Sequence, residues 1–237
     1  MDASDYQRQF SAYGIGTPDE VSGPRIDKVR KIFARSGAKK ILDVGCCNGA
    51  ILKPLQAGGR ELHGVDISQF LVDKANANGI KAVLHDLEKE PLPYTAGAFD
   101  AVFCGETIEH QVDTDWLLSE INRVLKPDGF LVLTFPNIRT VLSLTMMAFF
   151  DIPPMYAARY RASHVRDFTL KTIRIALSEN GFVIRRAVGS AFYLPKIGEF
   201  GKGLATWFPS WANTTVVLAE KQSAASYPPK NLTETIY

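Results

Sequence analysis

Two rhythms of apolar and polar residues recur between residues 24 and 221: short continuous apolar runs bounded by turn residues, and longer stretches with apolar residues three and four apart. Ile26, Val29, Ile32 and Phe33 sit at helical spacing behind Pro24, which suits a first helical turn, and Gly37 closes the stretch. The runs at 40–44, 61–66, 80–85, 99–104, 130–135, 182–188 and 214–220 read as strands. Helices are predicted over 50–57, with Pro54 tolerated near the first turn, and from a Ser68 cap to about Gly79. Two more are predicted, one from Asp113 or Thr114 to Leu125, stopped by Lys126-Pro127-Asp128-Gly129, and one over 169–180. Parallel strands need crossover connections, so strands alternating with helices predict an α/β protein with a parallel sheet.

The alternation lapses twice, over about 136–166 and about 189–212. Connections of that length in a compact domain usually carry function, which marks both as lid or substrate-binding insertions. The first holds Met146, Met147, Phe149, Phe150, Met155 and Tyr156, followed by Arg159 and Arg161. It reads as an amphipathic lid helix packed on the sheet, compatible with an apolar acceptor pocket. Trp207, Phe208 and Trp211 in the second pose the same choice. Residues 1–23 carry Tyr6, Phe10 and Tyr13, enough to dock as an N-terminal flap on the domain at 24–221. The polar segment 222–237, with Pro228-Pro229, reads as a mobile tail.

Composition narrows the classes. The chain has 237 residues, 46% of them hydrophobic, which suffices for one large packed domain. Lys plus Arg (27) nearly balances Asp plus Glu (25), so no global field draws the chain to nucleic acid or to an anionic membrane. Three cysteines, two adjacent at 46 and 47, do not make a disulfide framework, and a reducing compartment fits them. The start of the chain lacks the apolar stretch of a secretory signal, and the longest apolar run, 141–150, is far short of a membrane span. A soluble cytoplasmic protein is the expectation, with monomer and homodimer both open.

The densest chemistry lies at Ile41-Leu42-Asp43-Val44-Gly45-Cys46-Cys47-Asn48-Gly49-Ala50, a buried strand running into a tight glycine turn. In an open α/β sheet such a turn holds the phosphate or adenosine part of a cofactor. Asp66 follows at the end of the next strand, roughly twenty residues on, where an acid meets the ribose hydroxyls of such cofactors.

These blocks together resemble the class I S-adenosylmethionine-dependent methyltransferases over roughly residues 38–220. Asp43-Val44-Gly45-Cys46-Cys47-Asn48-Gly49 resembles the family's glycine loop, with Cys47 where the middle glycine usually stands. Val65-Asp66-Ile67-Ser68 resembles its ribose-binding strand end, and His85-Asp86-Leu87 the site whose acid meets the adenine amino group. The blocks Phe99-Asp100, Cys104-Gly105-Glu106-Thr107-Ile108-Glu109-His110 and Leu125-Lys126-Pro127-Asp128-Gly129-Phe130 follow in the family's order. The resemblance implies a doubly wound, Rossmann-like, mostly parallel seven-stranded sheet of order 3-2-1-4-5-7-6. Its seventh strand is antiparallel, and helices cover both faces. It also implies S-adenosylmethionine as cofactor, with S-adenosylhomocysteine as product, held by Asp43, Gly45, Cys46, Cys47, Gly49, Asp66, Ile67, Asp86, Leu87, Cys104 and Glu106. A nicotinamide dehydrogenase shares the turn and the acid but has no use for Asp86 or the later blocks.

Transfer from a sulfonium needs alignment and, for a hydroxyl acceptor, a base. His110 is the preferred base, Glu106 its orienting partner and His164 the reserve. Glu-x-x-Glu-His also resembles quinone and other small-molecule methyltransferases, which implies a small, apolar or glycosidic acceptor methylated at oxygen and leaves peripheral membrane contact open. No metal is required on that reading. The set Glu106, Glu109, His110 and His164 with Phe135-Pro136-Asn137 is similar to the metal-binding set of the small-RNA 3′-terminal ribose methyltransferases. That alternative needs a basic track, for which Arg159, Arg161, Arg166, Arg185, Arg186 and Lys202 are the candidates. A third alternative is suggested by 163–168, which is similar to non-catalytic methyltransferase-like accessory proteins that bind a partner.

Overall fold

The computed structural model describes residues 22–152, 164–194, 196–225 and 227. The aromatic residues of the flap and Met155, Tyr156, Arg159 and Arg161 lie outside them, as does most of the terminal segment. Seven strands form the main sheet: β1 Lys40–Val44, β2 Glu61–Asp66, β3 Lys81–Leu84, β4 Phe99–Gly105, β5 Leu125–Pro136, β6 Phe182–Gly189 and β9 Thr214–Lys221. Their order is β3-β2-β1-β4-β5-β9-β6, and β9 runs antiparallel to both neighbours. This is the order implied by the resemblance, β9 being the seventh strand of this sheet. The two remaining strands, β7 Phe192–Leu194 and β8 Gly198–Phe200, pair as a hairpin inside the second insertion.

The helices are α1 Pro24–Arg35, α2 Gln69–Ala77, α3 Thr114–Val124, α4 Val141–Phe150, α5 Leu170–Glu179 and α6 Lys202–Ala205. The pleat sends successive side chains to opposite faces, so each central strand feeds two cores. Leu42, Val102 and Leu131 join Leu117, Ile121 and Ile173 of α3 and α5 on one face. Ile41, Phe103 and Val132 join Val29, Phe33 and Val72 of α1 and α2 on the other. The Phe33 ring stands edge-on to Phe103, with centroids 6.3 Å apart. Among the described residues, no helix is long and apolar enough to cross a membrane.

Several local expectations are corrected. The helix predicted over 50–57 is only a short 3-10 segment, Lys53–Gly58, because Pro54 withholds an N–H and Gly59 turns left-handed at φ 68°. Strand β5 begins at Leu125 rather than at Phe130, with Lys126 fixed to Asp100 at 2.6 Å. Ser68 precedes α2 but its hydroxyl makes no cap, and its backbone N–H donates to Asp66 Oδ1. Thr169 caps α5 in a reciprocal box with Thr172, and Asp113 caps α3 by accepting the N–H of Trp116. No residue of α4 is buried, so the helix is not the amphipathic, sheet-packed lid that its sequence predicts. At the start of the terminal segment, Asn122 binds Ser223 and Ala225, and the Tyr227 hydroxyl reaches the Asp113 carboxylate.

Candidate active site

The glycine turn begins where β1 ends. The N–H groups of Gly45 and Cys46 both donate to the Val65 carbonyl at 3.0 Å, locking the turn to the neighbouring strand. Gly45 and Gly49 have φ of 74° and 72°, and a side chain at either would collide with Thr107 or Ile80. Only glycine is free of strain there. Cys47 takes φ 51° as well, so the departure from glycine has not converted the turn to an ordinary conformation. Cys46 and Cys104 lie inside the two apolar cores, and burial pushes both thiols up. They supply packing rather than thiolate chemistry.

Asp66 closes β2 beside this turn and is almost fully buried. Its Oδ2 accepts the N–H of Cys47 and its Oδ1 that of Ser68, both at 2.9 Å. Burial raises its carboxyl, against the pull of these backbone donors. The Ile67 N–H bears on the same carboxylate, which still leaves acceptor capacity for a ribose hydroxyl, and the buried Ser68 Oγ alongside has no hydrogen-bond partner among the described residues. Asp43, also buried, is pushed up to about 8 by burial and then by Asp66, with Arg25 opposing. Ile67 is half-buried next to Asp66.

Asp86 lies just past β3, half-buried, with Oδ1 accepting the N–H of Glu88 and Oδ2 facing Lys89 at 2.8 Å. Burial raises its carboxyl, but Lys89 and that N–H outweigh it and the net shift is downward. Leu87 is half-buried, and its carbonyl accepts the Trp116 indole N–H at 3.2 Å. The missing side chain at Gly45 leaves room for Thr107, whose Oγ1 donates to the Val44 carbonyl at 3.2 Å and so ties the segment after β4 to the glycine turn.

The segment after β4 places the sharper chemistry. Glu106 is held at φ 52°, its N–H on the Thr134 carbonyl and its Oε1 accepting the Thr134 hydroxyl, both at 3.0 Å. Glu109 is 2% exposed, and neither carboxylate oxygen has a hydrogen-bond partner among the described residues. Burial first, then Glu106, drives its carboxyl well above the ordinary range, with Arg25 opposing. The Glu109 carbonyl accepts the N–H groups of Val165 and Arg166, which carries the first insertion back to this point. His164 is thereby brought to His110, with ring centroids 4.9 Å apart and planes at 77°. His110 Nε2 lies 4.0 Å from Glu109 Oε1. Burial lowers His164, with Asp167 opposing, and favours the neutral imidazole.

One ligand atom from each of Glu109, His110 and His164 lies within 4.8 Å of the others. Of the four metal ligands that the sequence suggests, three therefore converge, while Glu106 turns to Thr134. Asn137 instead fastens the two insertions, donating from Nδ2 to the carbonyls of Ser210 and Ala212 at 3.0 Å. Of the other histidines, His63 packs between Tyr94 and Phe99, and His85 binds the Glu90 carbonyl. The sequence reading missed Arg25. Its guanidinium reaches Thr134 Oγ1 at 3.3 Å and bears on both Asp43 and Glu109. Its place at the second residue of α1, feeding the first strand, is the only sequence signal for it.

The strained turn, the remaining acceptor capacity of Asp66 and a Ser68 hydroxyl without a partner among the described residues fit an adenosine with its ribose. A general model of the methyltransferase domain matches residues 42–133. The chain is 31% identical over 197 residues to a ubiquinone biosynthesis O-methyltransferase of Xanthomonas oryzae pv. oryzae, covering 79% of this chain and 80% of that protein. It is 30% identical over 157 residues to the biotin biosynthesis bifunctional protein BioHC of Saccharophagus degradans. That match covers 63% of this chain and 27% of that longer protein. Among solved structures, a S-adenosylmethionine-dependent methyltransferase of Thermotoga maritima, described as a possible histamine N-methyltransferase, superposes with TM-score 0.63 at 17% identity. The match covers 92% and 96% of the two chains. The [4+2]-cyclase SpnF gives 0.59 at 22%, covering 83% and 80%, so the fold does not fix the reaction.

Proposed function

Because this chain belongs to the class I S-adenosylmethionine-dependent methyltransferases, we propose that it methylates an oxygen of a small apolar acceptor, with His110 taking the hydroxyl proton. The observation that carries this reading is the set of Glu109, His110 and His164 packed together just past the end of β4. S-adenosylmethionine supplies a methyl group already activated by its sulfonium. The chain's own residues then bind and align. Asp66 and the turn orient the donor, and the burial of the β4 end keeps water from competing. A hydroxyl within reach of His110 loses its proton to the imidazole as the oxygen takes the methyl group. Glu109, kept protonated by burial, offers a hydrogen bond to the acceptor rather than a second negative charge. The O-methyltransferase name of the Xanthomonas relative supports an oxygen acceptor. The test is to offer apolar phenols and the matching amines with the methyl donor and to identify products by mass spectrometry. O-methyl ethers are expected; exclusive N-methylation would contradict the reading.

The same convergence favours one second reading, a divalent cation on Glu109, His110 and His164. The unpaired Glu109 carboxylate fits such an ion, which would lower the pKa of an acceptor hydroxyl. Chelation that abolishes turnover, restored by added divalent metal, would select it over the base mechanism. An RNA acceptor has less support, since Arg166 is spent on the Val112 carbonyl and Arg185 on Glu220.

A further inference from the structure

The cofactor end of the sheet carries a large apolar surface that methyl transfer alone does not require. Strand β5 ends at Pro136 opposite Thr214 of β9, and Gly189 of β6 lies opposite Thr215. Both insertions therefore leave the sheet at the end where Gly45 and Glu106 sit. Asn137 binds the Ser210 and Ala212 carbonyls, and the Arg139 guanidinium lies 4.5 Å above the Trp211 ring, so the roots of the two insertions form one surface.

That surface is aromatic and exposed. On α4, Val141, Leu144, Met147, Phe149 and Phe150 are all exposed, Phe149 at 79%. In the second insertion Ile197, Leu204, Trp207 and Phe208 are exposed, Trp207 at 82%. Helix α4 contains no charged residue. At about 100° per residue its exposed apolar side chains spread over most of the helix circumference, and only the side of Leu142, Ser143 and Met146 is half-buried. A protein groove would cover one side of such a helix and leave the rest in water; lipid acyl chains at a bilayer surface receive a helix with no polar face to keep out. Beside this surface lies a basic rim. Lys28 donates to the carbonyls of Gly189, Ser190 and Lys202, and it stands near Lys31 and Arg186. The exposed Lys202 opens α6, one turn before Trp207. The acids of the surface are Asp151 and Glu199, and Glu199 accepts a bond from Asn213. Aromatic residues edged by lysine and arginine complement an anionic headgroup layer over an apolar interior.

We propose that α4 and the 192–211 segment dock on an anionic lipid bilayer, with Lys31, Arg186 and Lys202 meeting its headgroups. The active-site mouth then faces the membrane, and the acceptor is an amphiphile taken from it. This last step rests on the proposed methyl transfer; the docking does not.

Co-sedimentation of the full chain with vesicles tests the docking without turnover. Vesicles of phosphatidylcholine mixed with phosphatidylglycerol are expected to bind it, and pure phosphatidylcholine to bind it more weakly. Phe149→Ser with Phe150→Ser, and separately Trp207→Ser with Phe208→Ser, should each reduce partitioning about tenfold or more. Lys31→Glu with Lys202→Glu should remove the preference for anionic lipid, as should raised salt. Unchanged cofactor affinity by calorimetry confirms that each variant is folded. Absence of binding to the mixed vesicles, binding indifferent to all six substitutions, or a dimer that forms through these residues and ignores vesicles would overturn the proposal. Methyl transfer to a water-soluble acceptor would survive any of those results, which separates the two claims.

Discussion

The carboxylate of Asp66 accepts the backbone N–H of Cys47 at 2.9 Å, so the acid proposed to hold the ribose also ties down the glycine turn beside it.

Cys47 holds a left-handed φ of 51° that a side chain resists. Replacing it by glycine should relieve about 1 kcal/mol of strain. A melting temperature raised by about 2–4 °C is expected, with cofactor affinity kept or improved. Differential scanning fluorimetry and calorimetry check both.

Asp66→Ala removes the anchor of Cys47 together with the ribose acceptor. Affinity for S-adenosylmethionine should fall by about a hundredfold, since a charge-assisted bond in a buried site is lost. Calorimetry showing unchanged affinity would place the ribose elsewhere.

Asp43 ties stability to pH. Its carboxyl titrates near 8 in the folded chain because of burial and then Asp66, against about 4 in an unfolded one. The folded state therefore keeps a proton that the unfolded state has lost. The stabilisation is full below about pH 4 and is lost as pH rises through about 8. Asp43→Asn should flatten this decline and leave the variant the more stable of the two at about pH 8, as melting curves across that range would show.

His110→Ala should slow turnover by about a hundredfold or more while sparing cofactor affinity, as the loss of a general base does. Near-normal turnover would shift the proton to His164, whose ring stands next to it.

The parallel sheet was readable because its buried strands are continuous apolar runs, and Ile41 with Leu42, or Val102 with Phe103, supply opposite faces at adjacent positions. The glycine turn was readable for a similar local reason, since Gly45 and Gly49 sit where only glycine fits. Local composition misled at Ser68, which has the makings of a helix cap but whose hydroxyl has no hydrogen-bond partner among the described residues. Arg25 was invisible because it meets Thr134 across 109 residues of chain. The motif brings His110 and His164 together on paper, but their contact beside the buried Glu109 depends on how the first insertion folds back at Val165. The exposure of α4 was likewise unreadable, since its apolar run predicts packing, yet among the described residues only the side of Leu142, Ser143 and Met146 is even half-buried.

The central claim is methyl transfer to oxygen at the β4 end of this site. Its most direct test is to incubate a cell extract with the protein and S-adenosylmethionine labelled in its methyl group, and to follow the label by mass spectrometry. A labelled O-methyl ether of a small apolar molecule is expected, lost with Asp66→Ala and strongly reduced with His110→Ala. A chain that binds the cofactor yet labels nothing, while a partner protein co-purifies, would contradict it.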